Sequence, residues 1–155
     1  MPTPSPSIPV FVWKDVVFVV SSGRTQPKDF DLLADLVIEQ TRQYPGGVGC
    51  IVIVPKDATP PSDASRKALN GALGKVEGSL RGICWLVEGD GFQGAMVQAV
   101  VTGLRLRKPR LTYATNVCTN VNEALAWVLC ELPGPHRRES DVSDALVAMS
   151  VRRPT

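Results

Sequence analysis

Histidine is almost missing from this chain. The single His136 sits in the run Pro133-Gly134-Pro135-His136-Arg137-Arg138, which sets aside histidine acid–base catalysis and His-ligated metal sites. The four cysteines, Cys50, Cys84, Cys118 and Cys130, are widely spaced and form no C-x-x-C pair. They read as reduced thiols in a cytoplasmic protein, with no zinc or redox motif. No apolar run approaches the ~18 residues of a membrane span. The stretch Met1 to Pro9 has neither a basic opening nor an apolar centre, so no secretory signal is expected. A net charge of +2 is too small to call for nucleic acid. There is no G-x-S-x-G nucleophile elbow. Neither a metal nor a cofactor is expected.

What is present is a rhythm. The 155 residues are 44% hydrophobic and 21% charged, ordinary for one globular domain. Four short runs alternate with helix-length amphipathic stretches: Val16–Val20, Cys50–Val54, Ile83–Val87 and Leu111–Thr115. Near-continuous apolar strands are buried on both faces, and that requires helices above and below a largely parallel sheet. The expected fold is therefore α/β, a mixed, mostly parallel sheet of about five strands with an N-terminal hairpin and about four helices.

Residues 1–9, with Pro2, Pro4, Pro6 and Pro9, read as a disordered arm. Val10–Trp13 and Val16–Ser21 flank Lys14-Asp15 as a hairpin would. Pro27 suits a first helical turn, and Phe30, Leu33, Ala34, Val37, Thr41 and Tyr44 follow at helical spacing up to Pro45-Gly46-Gly47. A second helix is predicted over Ser62–Val76, striped by Ala68, Leu69, Ala72, Leu73 and Val76. Gly71 and Gly74 each weaken it by roughly 1 kcal/mol relative to Ala, which suggests close packing against it. A third helix is predicted after Gly89–Gly91, ending near Leu106, and a fourth over Val121–Cys130, with Asn120 and Glu123 spaced as a capping box. Beyond Leu132 the composition becomes that of a linker. Ser140–Val151 reads either as a frayed tail or as a short amphipathic helix that folds onto a partner or a second copy of the chain.

Few motifs carry chemistry. Gly89-Asp90-Gly91-Phe92-Gln93-Gly94 matches G-x-G-x-x-G after a strand. However, Glu88 and Asp90 place negative charge where a phosphate would sit. Lys108-Pro109-Arg110 also stands where the ribose-binding acid belongs, so it reads as a tight turn. Arg105 to Arg110 holds four basic residues in six, which suits a helix C-terminus. Ser62-Asp63-Ala64-Ser65 opens the second helix. Ser62 or Asp63 can cap it, and a phosphate added there would meet the positive end of the helix dipole.

The order hairpin, helix, strand, helix, strand, helix, strand, helix resembles the STAS domain, the fold of the anti-sigma-factor antagonists and SpoIIAA-like proteins. The resemblance covers about Val10 to Leu129. In those antagonists a D-S-x-G motif starts the helix after the equivalent strand, and a partner kinase phosphorylates its serine. By position, Asp63 with Ser62 or Ser65 are the nearest matches. Ala64 follows Asp63 where the family has serine, and Arg66 follows Ser65 where it often has glycine.

The resemblance implies a non-enzymatic regulatory module at residues 10–132, with 133–155 as linker and tail. Its partner would be a kinase-like or other signalling protein, or a second copy of the chain as a homodimer. The expected contact residues are Asp57, Thr59, Asp63, Ser65, Arg66, Asp90 and Phe92, with Ser62 and Ser65 as phosphate acceptors. The alternative is a lipid- or nucleotide-binding domain using the same end of the sheet. An enzyme built on Asp63, Glu88 or Asp90 is the third reading.

Overall fold

The computed structural model describes residues 9–21, 26–56, 62–88, 99, 102, 113–132 and 143–148. Along the chain these form β1 (Val10–Trp13), β2 (Val16–Val20), α1 (Pro27–Gln43), β3 (Val48–Val54), α2 (Asp63–Lys75), β4 (Leu80–Val87), β5 (Ala114–Cys118) and α3 (Val121–Glu131). Residues 143–148 are also helical and belong to α4. The five strands lie in one sheet in sequential order. β1 and β2 are antiparallel, and every later pair is parallel. The protein is thus α/β with an N-terminal hairpin, as the rhythm of the sequence implies.

Sequential parallel order has a consequence for the layers. Right-handed crossovers between neighbouring strands bring their helices to the same face. α1 and α2 accordingly pack against each other and share the first face, where Ala34, Val37, Ala72 and Leu73 meet Val17, Cys50, Ile83, Trp85 and Val87. α3 follows β5, the last strand among the described residues, and connects no two of them. It lies on the second face, over β3, β4 and β5, where Ala124, Leu125, Val128 and Leu129 meet Ile51, Ile53, Cys84 and Leu86. Because successive strand residues point to opposite faces, one strand such as β3 feeds both clusters.

Local chemistry explains the element ends. Lys14, in the two-residue hairpin loop, takes a left-handed φ of 50°, a conformation that usually favours Gly or Asn. Two contacts hold it: its ammonium lies 4.9 Å from the centre of the Trp13 ring, and Gln40 Nε2 donates to its carbonyl at 2.5 Å. Pro27 opens α1, and the buried Asp29 accepts from the Gln26 N–H at 3.0 Å. Asn120 Oδ1 accepts from the N–H groups of Asn122 and Glu123 at the start of α3.

Three expectations need adjustment. β3 and β4 begin earlier than their apolar runs, at Val48 and Leu80, because Gly49 and Gly82 pair side by side within the ladder. β5 runs Ala114–Cys118, three residues later than the Leu111–Thr115 run. An edge strand with mostly half-buried residues does not need the apolar pattern of an inner one, and Asn116 fits by turning its amide onto Val117 N and Cys118 Sγ. Close packing on α2 at Gly71 is not observed, since a Cβ there would meet no atom within 4 Å among the described residues. The close approaches lie elsewhere among the described residues: in the turn before β3, where a Cβ on Gly47 would meet Arg81 at 2.6 Å, and on the sheet. A Cβ on Gly49 would overlap Val128, and one on Gly82 would come within 3.2 Å of Glu131.

Candidate functional site

The parallel strands end side by side. Ser21 N–H donates to Ile53 O and Glu88 N–H to Val54 O, each at 2.8 Å, so the ladder continues to the carboxyl ends of β2, β3 and β4. α1, α2 and α3 each follow a strand and begin from this end. In open α/β sheets, ligands and partners are usually met here.

The first turn of α2 carries the expected acceptor residues. Ser62 is the N-cap and is exposed. Its Oγ accepts from Ser65 N–H and donates to Ser65 Oγ, both at 3.1 Å. Its carbonyl accepts from Arg66 N–H at 2.9 Å. Asp63 and Arg66 are exposed, whereas Ser65 is only 5% exposed. The four residues Ser62, Asp63, Ser65 and Arg66 therefore share one turn, but only three of them face solvent. The inward position of Ser65 follows from the helical stripe, since Ser65 shares a face with Ala72 and Leu73. Asp57, Thr59, Asp90 and Phe92 lie outside the described residues. So do the G-x-G-x-x-G turn, the basic run Arg105 to Arg110, and the third predicted helix apart from Ala99 and Thr102, which are helical.

Two residues at this end carry charge without belonging to a motif. Lys56 is exposed and Glu88 half-buried, each within two residues of the end of a neighbouring strand, β3 or β4. Their signal in the sequence is only positional: a charged residue just beyond an apolar strand.

Three of the four thiols belong to the core. All four cysteines are free, and Cys50, Cys84 and Cys118 are buried while Cys130 is exposed. Burial pushes the Cys50 thiol up to about 12. Burial, reinforced by the neighbouring Cys118, raises Cys84 further. Tyr113 is raised by burial and then by the charge of Glu77. A thiol held protonated is a poor nucleophile and a poor metal ligand. Among the described residues no helix is long and apolar enough to cross a membrane.

Comparison with known families, curated proteins and solved structures finds no match to this chain.

Proposed function

We propose that this protein is a STAS-like regulatory module that works by docking a signalling protein and not by catalysis. Its contact surface is the carboxyl end of the sheet at the start of α2, and charge added at Ser62 gates it. The observation that carries this reading is the contrast between two serines three residues apart. Ser62 is an exposed N-cap, whereas Ser65 is buried beneath it. A kinase can reach the first without unfolding α2.

Phosphate on Ser62 would sit at the positive end of the helix, one turn from the Arg66 guanidinium, and both favour added negative charge. The neighbouring Asp63 opposes it. The helix would therefore survive modification while the surface gains negative charge, which is what a docking switch requires. A glutamate at Ser65 would not mimic this state, because it would place a carboxylate in the core. Ser62 is the position to test.

The test is the tagged protein recovered from its native cells, with phosphate mapped by mass spectrometry. Phosphate on Ser62 and none on Ser65 is expected, with Ser62→Glu losing a partner that Ser62→Ala keeps. Bare Ser62, with the same partners held by both variants, would overturn the switch. A co-purifying lipid or nucleotide with no protein partner would replace this reading with the ligand-binding one.

A further inference from the structure

The hydroxyl of Ser62 is engaged before any phosphate reaches it. Its oxygen accepts the Ser65 N–H, and its hydrogen goes to Ser65 Oγ, both at 3.1 Å. An ordinary N-cap serine makes the first of these contacts. In a capping box the residue three positions on is Glu or Gln, which reaches back to the backbone of the cap. Here that residue is Ser65, and its hydroxyl meets the side chain of the cap. Ser65 lies on the face of α2 that carries Ala72 and Leu73 and is only 5% exposed, so packing fixes its position. Ser62 is exposed, and among the described residues these two bonds are what hold its side chain. Phosphoryl transfer needs both features that the cap occupies. A kinase passes the hydroxyl proton to a base and aims the freed oxygen at the terminal phosphorus of a nucleoside triphosphate.

We propose that Ser65 is a positioning residue for Ser62: its buried hydroxyl latches the acceptor oxygen into the cap before phosphorylation and holds the phosphate afterwards. The inference rests on Ser62 being the residue that is phosphorylated. To react, the Ser62 side chain leaves the cap by turning about its Cα–Cβ bond. That breaks its two bonds to Ser65 and leaves the helix closed, because Arg66 N–H still donates to the Ser62 carbonyl at 2.9 Å. In the transfer the Ser62 Oγ–P bond forms as the bond between the β- and γ-phosphates breaks. The hydroxyl proton goes to the base of the kinase, and the nucleoside diphosphate leaves. Ser62 then has no hydrogen to give, so its partnership with Ser65 inverts. The Ser65 hydroxyl turns to donate to the phosphate, beside the Ser65 N–H. Threonine at position 65 could fill both roles, whereas alanine keeps only the N–H.

The first readout needs no kinase. In nuclear magnetic resonance of the full chain, scalar couplings between the α- and β-protons of Ser62 should report one χ1 rotamer. In Ser65→Ala they should report an average over rotamers, while the Arg66 amide exchanges no faster than before. The second readout incubates each protein with an extract of its native cells and adenosine triphosphate, and follows phosphate on Ser62 by mass spectrometry. Ser65→Ala should gain phosphate about fivefold faster, the worth of one ordinary hydrogen bond, and Ser65→Thr should return to the wild-type rate. A wild-type Ser62 that already averages its rotamers, or equal rates in wild type and Ser65→Ala, would overturn the latch. So would faster exchange of the Arg66 amide in Ser65→Ala, since the gain would then come from fraying of the whole first turn. An extract that phosphorylates Ser62 in none of the three proteins, with the couplings as expected, would overturn the Ser62 reading and leave Ser65 a structural part of the cap.

Discussion

The two faces of the sheet bury similar kinds of side chain by different means. The first is roofed by α1 and α2, both crossover helices, whose apolar stripes recur in the sequence at helical spacing. The second is roofed by α3, which can approach only because Gly49 and Gly82 stand side by side beneath it, and by α4. It also holds the stacked rings of Phe11 and Phe18, 4.7 Å apart and 4° from parallel. A roof imposed by topology tolerates ordinary side chains beneath it. A roof that merely packs depends on the fine shape of the floor. Substitutions should therefore be felt more sharply on the second face.

The largest effect should come from alkali, which acts on both faces together. Cys50 on the first face and Cys84 on the second keep their protons when folded, whereas a cysteine in the unfolded chain ionises near 9.0. The unfolded state therefore releases protons first as pH rises. The contribution is fully present below pH 9 and is lost as pH climbs from there towards about 12. Thermal melts over this range should show a falling midpoint. At pH 8 a thiol reagent should titrate the exposed Cys130 quickly and the other three cysteines only after denaturation.

Next in size is Phe18→Ala on the second face, which removes a fully buried ring and leaves Phe11 without its stacking partner. Chemical denaturation should show a loss of about 4 kcal/mol. The glycine floor comes third. Gly49→Ala drives a Cβ into Val128 and should cost about 3 kcal/mol by overpacking. Gly82→Ala, whose Cβ would meet Glu131 Cβ at 3.2 Å and not at overlap distance, should cost about 1 kcal/mol. On the first-face side the sign reverses. Gly71 lies exposed in α2 with open space around it, so Gly71→Ala should raise stability by about 1 kcal/mol. Equal effects at Gly49 and Gly71 would dissolve the comparison between the faces. The smallest effect should be Lys75→Ala, which removes an exposed 3.1 Å pair with Asp31 between α2 and α1. About 0.3 kcal/mol is expected from denaturant melts.

Much of the fold was legible because the strongest signals are local. The hairpin was readable from two apolar runs around Lys14-Asp15. Pro27 and the stripe from Phe30 onward marked α1, and Ser62 and Asn120 marked the starts of α2 and α3. β5 was misplaced by three residues because an edge strand carries no clear period. Gly71 stood out inside a helix, where glycine costs stability, yet has open space around it, whereas Gly47, Gly49 and Gly82 are the ones with a close neighbour. At the candidate site, both serines were visible as a pair at a helix start. That Ser62 faces solvent and Ser65 faces the core depends on which way α2 rolls onto the sheet.

Strand, helix and cap were thus determined by the sequence itself, because periodicity, proline and short polar side chains act over a few residues. Tertiary structure decided which face each helix covers, which glycines make contact, which serine is reachable and whether the C-terminal segment docks. Each of these depends on residues far apart in the chain meeting in space, and single-residue preference holds no record of such meetings.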